Sequence, residues 1–477
     1  MKLIMLLWLV LLCSCYGTRQ SKGGGQISGT PAREINSADV VLPEGYRIEA
    51  VASGLNFPTA MAFDEEGTPY VIEAGYSYGE VFRKPRLLKI TGGKTETVAT
   101  GEENGPWTGI AFHKNNFYIA EGGQKEGGKI LKVTPGGEIT AVVEGLPGMG
   151  DHHTNGPVIR DGYIYFATGS VTNSGVVGPD NAEFGWLKRH PELHDIPCED
   201  ITLAGENFET EQVLTDAQGD KAVTGAYLPF GTASTAGQVI KGKLPCSGAV
   251  LRVPVSGGKM ELVAWGLRNP YGLAVSGDGK LYVTENAADV RGSRPLWGVG
   301  DVLWEIRPGA WYGWPDYSEG KPVRLFKTPG GPALKPLLQE EKGEVPKPVA
   351  VLAVHSSSNG IDFSSNGNFG FENHAFIAQF GDMAPNVGKV LSPVGFKIVN
   401  VDVQSGAAKD FAVNRGKKGG PASRLHTGGL ERPVSVKFDP SGDHLYIVDF
   451  GILKMTEDGK SVPVENTGVI WKVSVTR

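Results

Sequence analysis

Two adjacent histidines, His152-His153, the arginines Arg268 and Arg432, and the asparagines Asn104 and Asn269 are the residues whose types and positions could do chemistry. An arginine fork grips a planar carboxylate through paired hydrogen bonds, which a lysine cannot match. A histidine of near-neutral pKa can take the proton of a hydroxyl. Arginines beside a neutral histidine suit an anionic, oxygen-rich ligand, and the whole set suits oxidation of an alcohol or aldose. Such an oxidation needs an acceptor for hydride, which no side chain provides, so a cofactor is implied. The chain has no strand–GxGxxG–helix unit, which argues against a nicotinamide on a Rossmann fold. It also lacks CxxCH for covalent haem, and its few cysteines have no CxxC spacing for zinc.

These residues lie far apart in the chain, and an internal repeat is what can bring them together. One unit recurs: an apolar strand, a polar turn, then an apolar-aromatic-apolar strand with Glu, Asp or Gln near its end. The second strands read PYVIEAG (69–75), FYIAEGG (117–123), YIYFATG (163–169), LYVTENA (281–287), AFIAQFG (375–381) and LYIVDFG (445–451). Third strands such as RLLKIT (86–91) and outer strands such as TETVATG (95–101) and ELVAWG (261–266) follow them. Six repeats of four short antiparallel strands predict an all-β, six-bladed β-propeller. RIEAVASG (47–54) and VIWKVSV (469–475) are expected to share the last blade and close the ring.

Aligning the innermost strands on Phe63, Phe112, Ile159, Val275, Phe363 and Phe438 places one loop per blade at the channel mouth, six to eight residues upstream. Those loops carry Asn56, Asn104, His152-His153, Arg268-Asn269, His355 with Ser356–Ser358, and Glu431-Arg432. Pseudo-symmetry should gather them around the axis. The insertion in blade three, about residues 171–247, reads as a lid or wall over that mouth.

With net charge −6, 68 Gly and 31 Pro, the chain is turn-rich and mildly acidic. It has no basic stripe, so nucleic acid is not an expected partner. Residues 1–14 read as a lipoprotein signal peptide: Lys2, the apolar run Leu3–Leu12, then Leu12-Cys13-Ser14-Cys15. Cleavage would leave Cys15 to carry the lipid, and the run is too short for a permanent span. Residues 15–40 read as lipid anchor and Gly/Ser-rich tether, and residues 41–477 as the propeller. The expected location is the cell envelope, held by lipid at the outer membrane or on its periplasmic face. Cys198 and Cys246 are the other two cysteines of the mature chain, which in an oxidising compartment suggests one disulfide.

GLRNPYGLAVSGDGKLYVTEN, GAWYGWP and HHTNGPVIRDGYIYFATGS resemble the glucose/sorbosone dehydrogenase family, six-bladed propellers that hold pyrroloquinoline quinone over the channel mouth. The resemblance spans most of residues 40–475 in layout. It implies an oxidoreductase that moves hydride from a sugar, sugar-derived aldehyde or polyol to the quinone. A further quinone or a cytochrome would then accept the electrons. It makes His153, in His153-Thr154-Asn155-Gly156, the general base, and counts Arg268 as catalytic beside it. Arg268, Asn269 and Arg432 are implied quinone ligands, with Asn104 the ring residue that joins them. Ca2+ is implied at the backbone of Ala287 and Ala288, with Asp301 a nearby acidic ligand. The chain departs from the pattern in three places. Gly169-Ser170 stands where an aspartate orients the histidine, AFIAQFGD lacks the clamping lysine, and Leu430 replaces a second arginine. The competing class is a non-catalytic carbohydrate-binding propeller lipoprotein or a calcium-dependent lactonase. The ring separates the classes, because an adhesive module has no need of Arg, Arg and His at equivalent positions.

Overall fold

The computed structural model describes residues 32–77, 81–183, 185–215, 219–384, 392–456 and 460–476. The signal peptide, Cys15 and most of the expected tether lie outside the described residues. Six antiparallel sheets form the blades of a propeller. Blade one pairs Pro58–Phe63, Pro69–Glu73, Arg86–Thr91 and Lys94–Thr100 in chain order. Blade two runs from Trp107–His113 to Ile139–Leu146, blade three from Thr154–Arg160 to Glu261–Trp265, and blade four from Asn269–Val275 to Ala350–Val354. Blade five spans Ser358–Phe363 to Ala408–Asn414. In blade six the N-terminal strand Tyr46–Leu55 pairs with the C-terminal Gly468–Val475, which closes the ring.

The sequence pattern explains this order of strands. Inner strands bury both faces: Pro58–Phe63 is buried throughout, whereas the outer Lys94–Thr100 is mostly exposed. The aromatic residue of each second strand stitches blades together. Tyr282 packs on Phe363 with ring centroids 5.0 Å apart, Phe376 on Phe438 at 5.4 Å, and Tyr446 on Phe63 at 5.0 Å. These join blades four to five, five to six and six to one, each contact adding about 0.5–1.5 kcal/mol beyond the area it buries.

The chain is docked earlier than the expected boundary at residue 41. Val40–Val41 adds a fifth strand to blade five through Val413 and Asn414. Before it, the buried Arg33 guanidinium pairs with Asp449 at 2.8 Å and Glu431 at 2.9 Å. The blade-three insertion lies between Thr168 and Ala249 and contains two short helices, Asp180–Glu183 and Trp186–Arg189. Its Cys198 and Cys246 sulfurs are bonded, with Cα atoms 5.0 Å apart. It buries a small core of its own that includes Val171, Trp186, Leu187 and Phe230. Among the described residues no helix is long and apolar enough to cross a membrane.

Candidate active site

In blades one, two, four and six the acid at the end of the second strand is a clamp on the loop feeding the channel mouth. Glu73 accepts from the Asn56 amide at 2.8 Å, and Asp449 accepts from both the Glu431 and Arg432 amides at 2.9 Å. Glu285 accepts the Arg268 amide in the same way. In blade two the clamp takes a side chain, with Asn104 Nδ2 donating to Glu121 at 2.8 Å. Three indoles complete these sites: Trp107 on Glu121 at 3.1 Å, Trp304 on Glu285 at 2.6 Å and Trp471 on Asp449 at 3.3 Å. Buried carboxylates are tolerable only when supplied with donors, and here the donors are the loops that must be held.

Held this way, the loops at the channel mouth enclose a cavity with two adjoining lobes that share Asn286, Ser357 and Met383. The polar lobe, about 110 Å³, is lined by Asp151, His152, Arg268, Asp289, Arg291 and His355 among others. The other lobe is largely apolar, with Tyr271, Phe380, Met383 and Phe450 around it and His153 on its wall.

Charges in the polar lobe are closely paired. Arg291 donates to Asp180 at 2.9 Å and Asp289 at 3.2 Å, and bonds Asp151 as well. The Arg268 side chain does not pair with Glu285. Its Nε and Nη2 donate to the carbonyl and side-chain oxygens of Asn173, both at 2.9 Å, and Nη1 to the Asn286 carbonyl at 3.1 Å. Burial alone would raise the carboxyls of Asp151 and Asp289. The His355 hydrogen bond, for Asp289, and the Arg291 and Arg268 cations, for both, hold them below the usual carboxylate range. Burial opposes charge on His355, but its contact with Asp289 at 3.4 Å prevails and its pKa is raised. His152 and His153 go the other way: burial pushes His152 down to about 3 and His153 to about 4, so both are neutral.

Of the residues singled out in sequence, His152, Arg268, Asn269, Ala287 and Asp301 line the polar lobe and His153 the apolar one. Asn269 Nδ2 donates to Asn286 Oδ1 at 2.9 Å. Asn104 is not in the lining. Its amide nitrogen serves Glu121 and the Gly127 carbonyl, and its oxygen accepts the amides of Lys125 and Glu126, so it is spent on its own loop. Arg432 is buried behind the wall between Phe380 and Phe396. Its Nη1 donates to the carbonyls of residues 380–382, while Nε and Nη2 have no acceptor among the described residues. Asp301 ties blade four to blade five, taking the Ala287 amide at 3.0 Å, the Ser356 hydroxyl at 2.8 Å and the Ser358 amide at 2.7 Å. Ala288 is buried beside it. Among the described residues no group of three or more His, Cys, Asp or Glu side chains is placed to hold a metal ion.

Sequence reasoning passed over Asp151, Asp289, Arg291 and Gln124. Asp289 and Arg291 lie in the loop after Leu281–Asn286, outside the repeated strands, and Asp151 is the residue before the histidine pair. At Gly169 an added Cβ would lie 2.3 Å from the His152 Cβ, so the glycine is what lets His152 lie against this strand end.

No protein-family model matches the sequence, and no curated protein matches it. Solved structures do. The chain is similar to a Trichoderma reesei enzyme of Carbohydrate-Active Enzymes Family AA12, at 16% identity and TM-score 0.56, covering 94% of this chain and 100% of that one. It is similar to the PQQ domain of pyranose dehydrogenase from Coprinopsis cinerea, in holo form, at 14% identity and TM-score 0.54, over 94% and 100% of the two chains. It is also similar to the soluble aldose sugar dehydrogenase of Escherichia coli in apo form, at 14% identity and TM-score 0.52, over 90% and 100%. The chain therefore shares the six-bladed propeller fold of these proteins.

Proposed function

We propose that this chain is a quinoprotein oxidoreductase that oxidises a hydroxyl of a sugar, sugar-derived aldehyde or polyol, with pyrroloquinoline quinone bound at the channel mouth. The observation that carries this reading is the convergence on one cavity of His152-His153, Arg268-Asn269 and His355 from three blades, beside an apolar slot. The residues fit a flat anionic cofactor. Tyr271, Phe380 and Phe450 line the apolar lobe, and Arg432 behind Phe380 keeps two buried guanidinium nitrogens without an acceptor among the described residues. When bound, the quinone supplies the two-electron acceptor for hydride that side chains cannot. The chain itself would hold the cofactor and substrate through Arg268 and Asn269, and exclude water with the apolar wall. The histidine pair, of which sequence favours His153, provides the acceptor for the hydroxyl proton.

Calcium belongs to the same reading, held at the Ala287 and Ala288 carbonyls near Asp301, whose carboxylate accepts three hydrogen bonds of the roughly four it can take. Anchoring through a lipid on Cys15 at the cell envelope, and electron transfer to a further quinone or a cytochrome, are proposed from the sequence alone. The test is titration of the apo-protein with the quinone, with and without Ca2+, followed by absorbance, then reduction of an artificial acceptor with a panel of aldoses and polyols. Saturable binding with sugar-dependent reduction is expected. Failure of both would sink the proposal, and sugar binding without reduction would favour the carbohydrate-binding class.

A further inference from the structure

The two adjacent histidines on the cavity wall carry their protons on opposite nitrogens. Nδ1 of His152 lies 2.8 Å from the Ser170 carbonyl, which only accepts, so Nδ1 holds the hydrogen. The Ser170 hydroxyl, 3.1 Å away, donates its own proton to the Thr172 carbonyl at 2.7 Å and therefore faces Nδ1 as a second acceptor. Neutral His152 thus offers a bare Nε2, 3.3 Å from Oδ2 of Asp151.

His153 is set the other way by Gln124. The oxygen of that amide accepts the Trp186 indole N–H at 2.6 Å, so its NH2 faces the carbonyls of Gly150 at 3.1 Å and Gly148 at 3.3 Å and Nδ1 of His153 at 3.1 Å. The same Nδ1 lies 3.4 Å from the Gly148 carbonyl, farther than from the Gln124 nitrogen at 3.1 Å. An amide nitrogen donates and does not accept, so towards its nearer partner Nδ1 of His153 is the acceptor and its hydrogen sits on Nε2.

We infer that His152, backed by Asp151, is the proton acceptor for the substrate hydroxyl, and that Gln124 is a positioning residue that keeps His153 a hydrogen-bond donor. This rests on the proposed oxidation. In that reaction the hydroxyl O–H bond breaks and its proton forms an N–H bond at Nε2 of His152. The carbon–hydrogen electron pair leaves as hydride to the quinone, and the C–O bond becomes C=O. Arg291 and Arg268 keep Asp151 ionised, so the imidazolium formed meets a carboxylate at once.

The tautomers can be read without activity, from long-range 1H–15N spectra of the full-length chain labelled at histidine. The signals lost in His152→Asn should show hydrogen on Nδ1, and those lost in His153→Asn hydrogen on Nε2. Gln124→Glu, which replaces the donor with an acceptor, should move the His153 hydrogen to Nδ1. Should His152→Asn not fold, the Gln124→Glu spectrum, with both histidines in place, decides alone. In the loaded enzyme His152→Asn should lower kcat by about 10²–10⁴-fold, and His153→Asn by less. The same tautomer on both histidines, or the reverse order of losses, overturns the inference. Absence of turnover in the wild type overturns the oxidation and the role of His152 with it, while the spectra still decide the tautomers.

Discussion

Replacing Arg291 with methionine leaves Asp151, Asp180 and Asp289 around a side chain that no longer carries charge. All three side chains are at most 15% exposed, so water cannot substitute for the guanidinium. Removing one partner of a buried pair costs about 3–5 kcal/mol. Asp151 and Asp289 keep Arg268, at 3.7 and 3.5 Å, so the loss should fall near the low end, about 3 kcal/mol. At about 2.1 cal/mol/K per residue, unfolding a chain of roughly 430 ordered residues carries about 0.9 kcal/mol/K, so the midpoint should drop by about 3 °C. The pH dependence has a definite sign. Both Asp151 and Asp289 have folded pKa values below the ordinary one, so their contribution is present above about pH 4 and is lost as pH falls through the depressed values. Without Arg291 those carboxyls must stay charged and underpaired at pH 7.5 or bind a proton. The deficit of Arg291→Met is therefore largest at neutral pH and narrows towards about pH 4.5. Urea unfolding followed by tryptophan fluorescence, with calorimetry at both pH values, measures it. A deficit under about 1 kcal/mol at pH 7.5, or one that ignores pH, would refute the pairing argument.

Two further outcomes are expected from the blade-three insertion. Burial pushes the Asp195 carboxyl up to about 7, so the folded chain holds that proton across pH 4–7 while the unfolded chain has lost it. Wild-type stability then falls by about 1.4 kcal/mol per pH unit from this group as pH rises through the window, and Asp195→Asn should gain on wild type between pH 5 and 8. A difference between the two proteins that stays constant with pH would contradict this. The Cys198–Cys246 bond closes a separation of 48 residues, and Cys198→Ser with Cys246→Ser should cost about 4 kcal/mol in chemical denaturation. Unchanged stability would mean that the insertion is held by its other ties.

The fold was legible because each repeated residue does one recurring job. The second-strand aromatics stitch blades, as Tyr282 does with Phe363, and the strand-end acids clamp loops, as Asp449 does. Outer strands were less legible. Ala350–Val354 is only five residues long, alternates buried and exposed positions, and follows a long excursion after Glu305. At the site, pseudo-symmetry located loops but could not say how side chains turn within them. Arg268 does reach the cavity. Asn104 instead turns back to Glu121, and Arg432 lies behind Phe380. Asp289 and Arg291 come from a loop outside the repeat, so no periodicity marks them.

That origin bears on how the insertion works. It meets the blades through buried, directional bonds at several separate points. Asn173 takes Arg268, and Trp186 donates to Gln124 of blade two. Ser174 donates to the carbonyl of Arg294, whose guanidinium in turn bonds Asp316 at 2.9 Å and the Pro315 carbonyl at 2.7 Å. Swinging the insertion open would break these bonds together, taking both Asn173 oxygens from Arg268 and the Ser174 carbonyl from Arg294, each at a cost of kcal/mol order. Of the two readings of this segment, lid or wall, the wall is the one these bonds support. The cavity is thus formed before any ligand arrives, its apolar end by the repeat and its charged end by inserted loops. Substitutions in the inserted loops should therefore change what binds while leaving the propeller intact.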